Sequence, residues 1–125
     1  MTQNEALKVL KVLYVEDEDI ARLSIGTFLR KQVGQLLLAS NGSEGLQLYQ
    51  ENQPDVVITD LEMPIMNGME MILKIRQLDH AIPIIVTTAY DDEAHQCRDA
   101  NCTIQKPISF MTLLKSMQDC VVAQS

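Results

Sequence analysis

Five short apolar runs recur along this chain, and between them the apolar positions space out to helical intervals. The clearest run is Val56-Val57-Ile58-Thr59, set between Pro54 and Pro64. Four apolar or β-branched residues without alternation read as a strand buried on both faces, so Asp60 falls at its carboxyl end. Lys8 to Val15 is an earlier run of the same kind and stops abruptly at Glu16-Asp17-Glu18-Asp19. From Ile20 to Val33, the residues Ile20, Leu23, Ile25, Phe28 and Leu29 recur at helical spacing, with Gly34 as the stop. Gln35 to Ala39 is a third run, and Ser40-Asn41-Gly42-Ser43-Glu44 supplies turn chemistry and a cap for a helix carrying Leu46, Leu48 and Tyr49. After Asp60, the loop through Pro64 and Asn67-Gly68 leads to a helix over Met69–Leu78, striped by Met71, Ile72 and Ile75. Ile82 to Thr88 reads as the next strand, with Pro83 tolerable near its start. Asp91 to Asp99 is charged, with only Ala94 and Cys97 as small apolar contacts, and predicts a short, weakly anchored helix. Cys102 to Gln105 is a brief fifth strand closed by Lys106-Pro107. Ser109 then caps a last helix through Met111, Leu113, Leu114, Met117, Cys120 and Val121.

Five strand–helix pairs with short connections predict a parallel sheet covered by helices on both faces, because crossovers between parallel strands are right-handed. With 125 residues, 46% of them hydrophobic, and neither a linker nor an internal repeat, residues 1–125 are expected to form one domain with its own core. The net charge of -7 argues against a phosphate-neutralising surface, so direct nucleic-acid binding by this segment is not expected. No apolar run approaches a membrane span, and Met1-Thr2-Gln3-Asn4-Glu5 lacks the basic flank and apolar core of a signal peptide; a cytoplasmic protein is expected. Cys97, Cys102 and Cys120 are odd in number and show no CxxC spacing, so they read as reduced structural thiols rather than a disulfide framework or zinc site. His80 and His95 read as surface residues, and the seven methionines as core filler.

The chemistry lies in the polar residues just past the strands: Glu16 and Asp17 after the first, Asp60 after the third, Thr88 after the fourth and Lys106 after the fifth. In an open α/β sheet these positions share one edge, where ligands bind. Three carboxylates gathered there repel one another unless a cation joins them, and all-oxygen ligation suits Mg²⁺. Lys106 can pair with an anionic oxygen and Thr88 can donate to one. The set is suited to a phosphoryl group, with Asp60 as candidate nucleophile.

Four stretches in this order and spacing, Val15-Glu16-Asp17-Glu18, Thr59 to Gly68, Thr87-Thr88-Ala89-Tyr90 and Gln105-Lys106-Pro107, resemble the receiver domain of bacterial two-component response regulators. The resemblance covers essentially the whole chain. It implies a flavodoxin-like (βα)5 fold with strand order 2-1-3-4-5. It implies that Asp60 accepts phosphate from a phosphohistidine on a sensor histidine kinase or histidine phosphotransfer protein. Mg²⁺ would be held by Glu16, Asp17, Asp60 and the backbone carbonyl of Glu62. Lys106 would contact phosphoryl oxygens, with a cis bond to Pro107, and Thr88 would move toward the phosphate on activation. One departure stands out. Many receivers place an aromatic residue three positions before the lysine, where this chain has Thr103. That puts in doubt the usual coupling to the face formed by the fifth strand and its flanking helices, and with it phosphorylation-dependent dimerisation; monomer and dimer both stay open. Tyr90, two residues after Thr88, is a nearby aromatic that would shield an acyl phosphate from water.

Two rival readings share parts of this pattern. An aspartyl-phosphate phosphohydrolase shares the nucleophilic Asp, Mg²⁺, Thr and Lys and places a second acid two residues on, where Glu62 stands, but no inserted segment forms a substrate pocket. A degenerate receiver serving only as an interaction surface is disfavoured because all five site residues are present. The expected activity is that of a phosphoacceptor signalling domain, not an enzyme with its own substrate. The chain is compatible with a stand-alone regulator and with the receiver part of a longer protein whose output domain or protein target lies elsewhere.

Overall fold

The computed structural model describes residues 3–90 and 98–124, with side chains over 5–90 and 98–120. Its elements are α1 (Gln3–Leu7), β1 (Lys11–Val15), α2 (Asp19–Gln32), β2 (Gln35–Ala39), α3 (Gly42–Asn52), β3 (Val56–Asp60), α4 (Gly68–Leu78), β4 (Ile84–Thr88), β5 (Cys102–Gln105) and α5 (Phe110–Gln124). All strand pairs are parallel, in the order β2-β1-β3-β4-β5, as the resemblance implied. The helix expected over Asp91–Asp99 lies largely outside the described residues, as do His95, Cys97 and the Val121 side chain.

Side-chain alternation along the strands divides the core into two layers. Tyr14, Ile58, Ile85 and Ile104 face Ile25 and Leu29 of α2 and Leu113 and Met117 of α5. Leu13, Val57, Ile84 and Val86 face Tyr49 of α3 and Met71, Ile72 and Ile75 of α4. β3 and β4 are buried along their whole length because both layers close over them. Such strands form a stiff platform, and the loops at their carboxyl ends inherit that stiffness.

Several boundaries differ from the sequence reading for local reasons. The first strand starts at Lys11, not Lys8, because Lys8 and Leu10 donate backwards to Glu5 and Leu7 in a turn that ends α1. Pairing with the next strand begins only where Gly34 and Gln35 both donate to the Leu10 carbonyl. The fourth strand starts at Ile84; Pro83, lacking an N–H, serves only as an acceptor for Val57 N. In α2, Ile20 and Leu23 are exposed at 85% and 72%, so they do not belong to the core stripe. Leu23 lies about 160° around the helix from Ile25, at 100° per residue. Met111 of α5 is likewise exposed.

The edge of the sheet away from Asp60 is fastened by Arg76, in the last turn of α4. Its Nε donates to the Asp99 carbonyl at 2.9 Å, Nη1 to the Ile82 carbonyl at 2.7 Å, and Nη2 to Asn101 Oδ1 at 2.9 Å. Asn101 Oδ1 also accepts from Ile84 N at 2.9 Å. One guanidinium therefore ties α4, the entrance to β4 and the approach to β5. Arg76→Ala is expected to cost about 2–3 kcal/mol in urea denaturation while leaving the circular dichroism spectrum native. A loss below about 0.5 kcal/mol would show that these bonds are no better than the ones the same groups make with water.

Candidate functional site

The residues after each strand meet at the carboxyl edge because the backbone ladder runs past the strands themselves. Glu16 N donates to the Ala39 carbonyl at 3.0 Å and Lys106 N to the Thr88 carbonyl at 2.7 Å, so each extends its strand by one residue. Asp60 is the last residue of β3 and is held by its own surroundings: Leu61 N donates to Oδ1 at 2.8 Å, and the Thr59 hydroxyl donates to the Asp60 carbonyl at 2.8 Å. The loop after it turns back tightly. Gly68 N donates to the Leu61 carbonyl at 2.9 Å, and a Cβ at Gly68 would run into the Asp60 carbonyl, so no larger residue fits there. Asn67 caps α4 by accepting from Glu70 N at 2.9 Å. Within the loop, Ile65 sits at φ 70° and is exposed, a strained conformation for a β-branched residue directly after the site.

Lys106 occupies the centre. Its ammonium donates to Glu16 Oε1 at 3.0 Å and to Asp60 Oδ2 at 3.1 Å. Glu16 is fully buried, and its second carboxylate oxygen accepts from Glu18 N at 3.2 Å. Burial pushes the Glu16 carboxyl above the usual carboxylate range, more than its hydrogen bond from Lys106 pulls it back. For Lys106, burial disfavours the charge, yet the Glu16 hydrogen bond and the field of Asp60 and Glu16 outweigh it and raise the ammonium's pKa. Half-buried Asp17 completes a cluster in which one oxygen from each of Glu16, Asp17 and Asp60 lies within 4.8 Å of the others. Three hard oxygens at that spacing fit a small divalent cation.

The remaining site candidates are also placed. Thr88 is buried at the end of β4, and its Oγ1 accepts from Tyr90 N at 3.2 Å. Tyr90 is half exposed, Glu62 is exposed in the loop after Asp60, and Thr103 is an exposed residue of β5. The Lys106–Pro107 bond is cis. Three further residues border the site, and of these the sequence reading names only Thr87, within the Thr87-Thr88-Ala89-Tyr90 stretch. Thr87 is the register partner of Asp60, and its hydroxyl is buried with no partner among the described residues. The Tyr14 hydroxyl is likewise buried and unpartnered, and burial together with the Glu16 and Asp60 charges pushes its acidity down. Arg22 donates to the Glu16 carbonyl at 2.8 Å. No spacing rule exposes Tyr14, since a Tyr inside an apolar run reads as strand filler.

A parallel sheet in the order 2-1-3-4-5, with clustered carboxylates and a lysine at its carboxyl edge, defines the flavodoxin-like receiver class. The chain belongs to the response regulator receiver domain family, which it matches over residues 12–118. It is 33% identical over 116 residues to Protein PilH of Pseudomonas aeruginosa, covering 86% of this chain and 93% of PilH. It is 31% identical over 113 residues to Response regulator RR06 of Streptococcus pneumoniae, covering 87% of this chain but 52% of that protein. Against Regulatory protein AtoC of Escherichia coli the identity is 32%, covering 92% of this chain and 26% of AtoC. The chain thus spans about half the length of one of these relatives and about a quarter of another. Among solved structures, a receiver domain from Clostridium thermocellum superposes with TM-score 0.86 at 26% identity, over 93% of this chain and 97% of that one. The chemotaxis response regulator CheY4 of Vibrio cholerae gives 0.81 at 28%, over 90% and 99%. This is a signalling domain of two-component systems. No helix among the described residues is long and apolar enough to cross a membrane.

Replacing the central cation tests how far the fold depends on this site. Lys106→Met keeps the aliphatic stem but leaves buried Glu16 without that counter-charge, and is expected to cost about 2–4 kcal/mol in urea denaturation at pH 7. A loss under about 0.5 kcal/mol would show that the triangle contributes nothing to stability.

Proposed function

We propose that this receiver, one domain over residues 1–125, takes a phosphoryl group onto Asp60 from a phosphohistidine on a sensor histidine kinase or a histidine phosphotransfer protein. The observation that carries the reading is the bridge from Lys106 to both Glu16 and Asp60, with Asp17 completing the cluster. An Asp60 carboxylate oxygen attacks phosphorus, the P–N bond to the donor imidazole breaks, and the imidazole nitrogen keeps the electron pair and takes a proton from solvent. Lys106, already on Asp60 Oδ2, is positioned to follow the charge onto a phosphoryl oxygen. Mg²⁺ held by Glu16, Asp17, Asp60 and the Glu62 carbonyl would neutralise the equatorial oxygens during transfer. The Thr88 hydroxyl is the group that moves toward the new phosphate, giving up its bond from Tyr90 N.

A groove of about 720 Å³ leads away from Glu16 and Lys106 between α2 and the start of α5, lined by Ile20, Ser24, Ile25, Pro107 and Phe110. It supports docking of a helix of the phosphohistidine-bearing partner, because exposed Ile20 and Phe110 present apolar surface in the groove beside Lys106. The phosphohydrolase alternative is not favoured. The chain corresponds to only 29% of a protein-glutamate methylesterase/protein-glutamine glutaminase from Bacillus subtilis and 29% of a cyclic di-GMP phosphodiesterase from Thermotoga maritima, so such named activities belong to proteins far longer than the shared region. The output of this protein, whether through a further domain or a separate target, passes through a phosphorylation-dependent population shift of this domain in the cytoplasm.

Incubation with acetyl phosphate and Mg²⁺ is expected to add one phosphate to the intact mass, with no gain for Asp60→Asn or without the metal. A folded protein showing no adduct under conditions where dephosphorylation is slow would overturn the phosphoacceptor role. Tyr90→Ala is expected to speed loss of that phosphate several-fold by opening the acyl phosphate to water. Equal decay rates in the variant and the wild type would remove Tyr90 from the site.

A further inference from the structure

The loop between β1 and α2 supplies two of the three clustered carboxylates, yet α2 starts without the usual fastening. Its N-cap Glu18 makes no side-chain capping bond. Arg22 does not cap the helix's first N–H groups, since a guanidinium only donates, but it ties the loop to the helix from inside. Its Nη1 donates to the Glu16 carbonyl at 2.8 Å, and its Nη2 donates to the Asp19 carboxylate at 2.6 Å. A planar guanidinium making both bonds sets the separation of the last residue of the ladder and the first residue of the helix, so the intervening loop is spanned by a rigid strut. The side chain is 22% exposed, lying mostly against the protein.

The two acids on that loop do not depend on the strut equally. The Glu16 carboxylate is held independently, by Lys106 on one oxygen and Glu18 N on the other. The Asp17 side chain has no hydrogen-bond partner among the described residues, so its place in the cluster is set by the backbone alone. That backbone is anchored immediately before Asp17 by the bond from Arg22 to the Glu16 carbonyl. Like charges within 4.8 Å favour splaying, and Asp17 is the member that no side-chain bond holds against it. We propose that Arg22 is a positioning residue for the divalent-cation site, holding the backbone so that the Asp17 carboxylate stays within reach of those of Glu16 and Asp60. The inference rests on the metal-site reading of Glu16, Asp17 and Asp60.

The sign of the effect separates this role from a simple charge effect. A cation near three carboxylates weakens the attraction for a second cation, so a purely electrostatic Arg22 would make its removal tighten Mg²⁺ binding. A positioning Arg22 makes its removal weaken binding, by about tenfold for the loss of a supporting contact to a metal ligand. The experiment is a Mg²⁺ titration of the unphosphorylated full chain, followed by amide chemical shifts, for wild type, Arg22→Lys and Arg22→Met. The same spectra report whether each variant is folded. Arg22→Lys keeps the charge and loses the fork; Arg22→Met keeps much of the stem and loses both. Both variants are expected to bind Mg²⁺ about tenfold more weakly, with the largest loss of Mg²⁺-induced shift at Asp17. Unchanged binding in the Lys variant with tighter binding in the Met variant would overturn the proposal and leave Arg22 as a surface charge. Wild-type affinity in both would overturn it outright. Absence of any Mg²⁺-dependent shift in the wild type would overturn the metal-site reading itself and the role of Arg22 with it.

Discussion

The ammonium of Lys106, shared between Glu16 and Asp60, is the interaction on which the carboxyl edge depends. Glu16 has no exposed surface, and Asp60 has almost none, so two carboxylates at the mouth of a closed sheet would repel each other with little water to screen them. One cation between them makes that arrangement tolerable. The lysine reaches both because its own backbone continues the ladder from β5 onto Thr88, placing Nζ beyond β3 and within reach of β1. The same arrangement leaves the edge short of positive charge, since three acids face one lysine. The edge therefore offers carboxylate oxygens suited to a divalent cation and an ammonium suited to an anionic oxygen.

Preorganisation of this kind needs a platform that does not yield. β3 and β4 are buried end to end between two apolar layers, and the opposite edge is fastened by Arg76 across α4, β4 and the approach to β5. Rigidity at one edge leaves loop movement as the cheaper response at the other. At that other edge the Thr88 hydroxyl accepts from Tyr90 N, tying the end of β4 to the first residues after it.

Much of this was legible in the sequence because the chain states it locally. Short apolar runs identified β2 and β3, the brief Cys102–Gln105 stretch before Lys106-Pro107 identified β5, and the polar residues after the strands identified the edge where Glu16, Asp17, Asp60, Thr88 and Lys106 lie. The Ser40-Asn41-Gly42-Ser43-Glu44 turn announced the start of α3, where Asn41 does cap, whereas Asn67-Gly68 read as residues tolerant of left-handed angles, and neither adopts one: Asn67 is extended and caps α4. Other features were hidden because the deciding partner is remote. Lys8 to Leu10 has strand composition, but a turn ending α1 holds it, and nothing in its own residues says that pairing must wait for Gln35. Ile20 and Leu23 fall at helical spacing, yet the core selects the stripe centred on Ile25 and Leu29, leaving them in solvent. Arg22 and Arg76 reach several of their partners through backbone carbonyls, of Glu16, Asp99 and Ile82, which every residue possesses, so no pattern of side chains marks those contacts.

The exposed apolar residues gain meaning from what they surround. Ile20 and Phe110 line the groove that opens beside Lys106, Ile65 stands on the loop after Asp60, and Tyr90 comes two residues after Thr88. A charged pocket rimmed by apolar side chains is poorly matched to water at its border and well matched to a partner that covers it. When such a partner seats on the rim, burial of apolar area supplies the association energy, while the carboxylates and lysine inside lose solvent screening. The electrostatics of Lys106 and its two acids then act at greater strength at the moment of transfer than in the free domain.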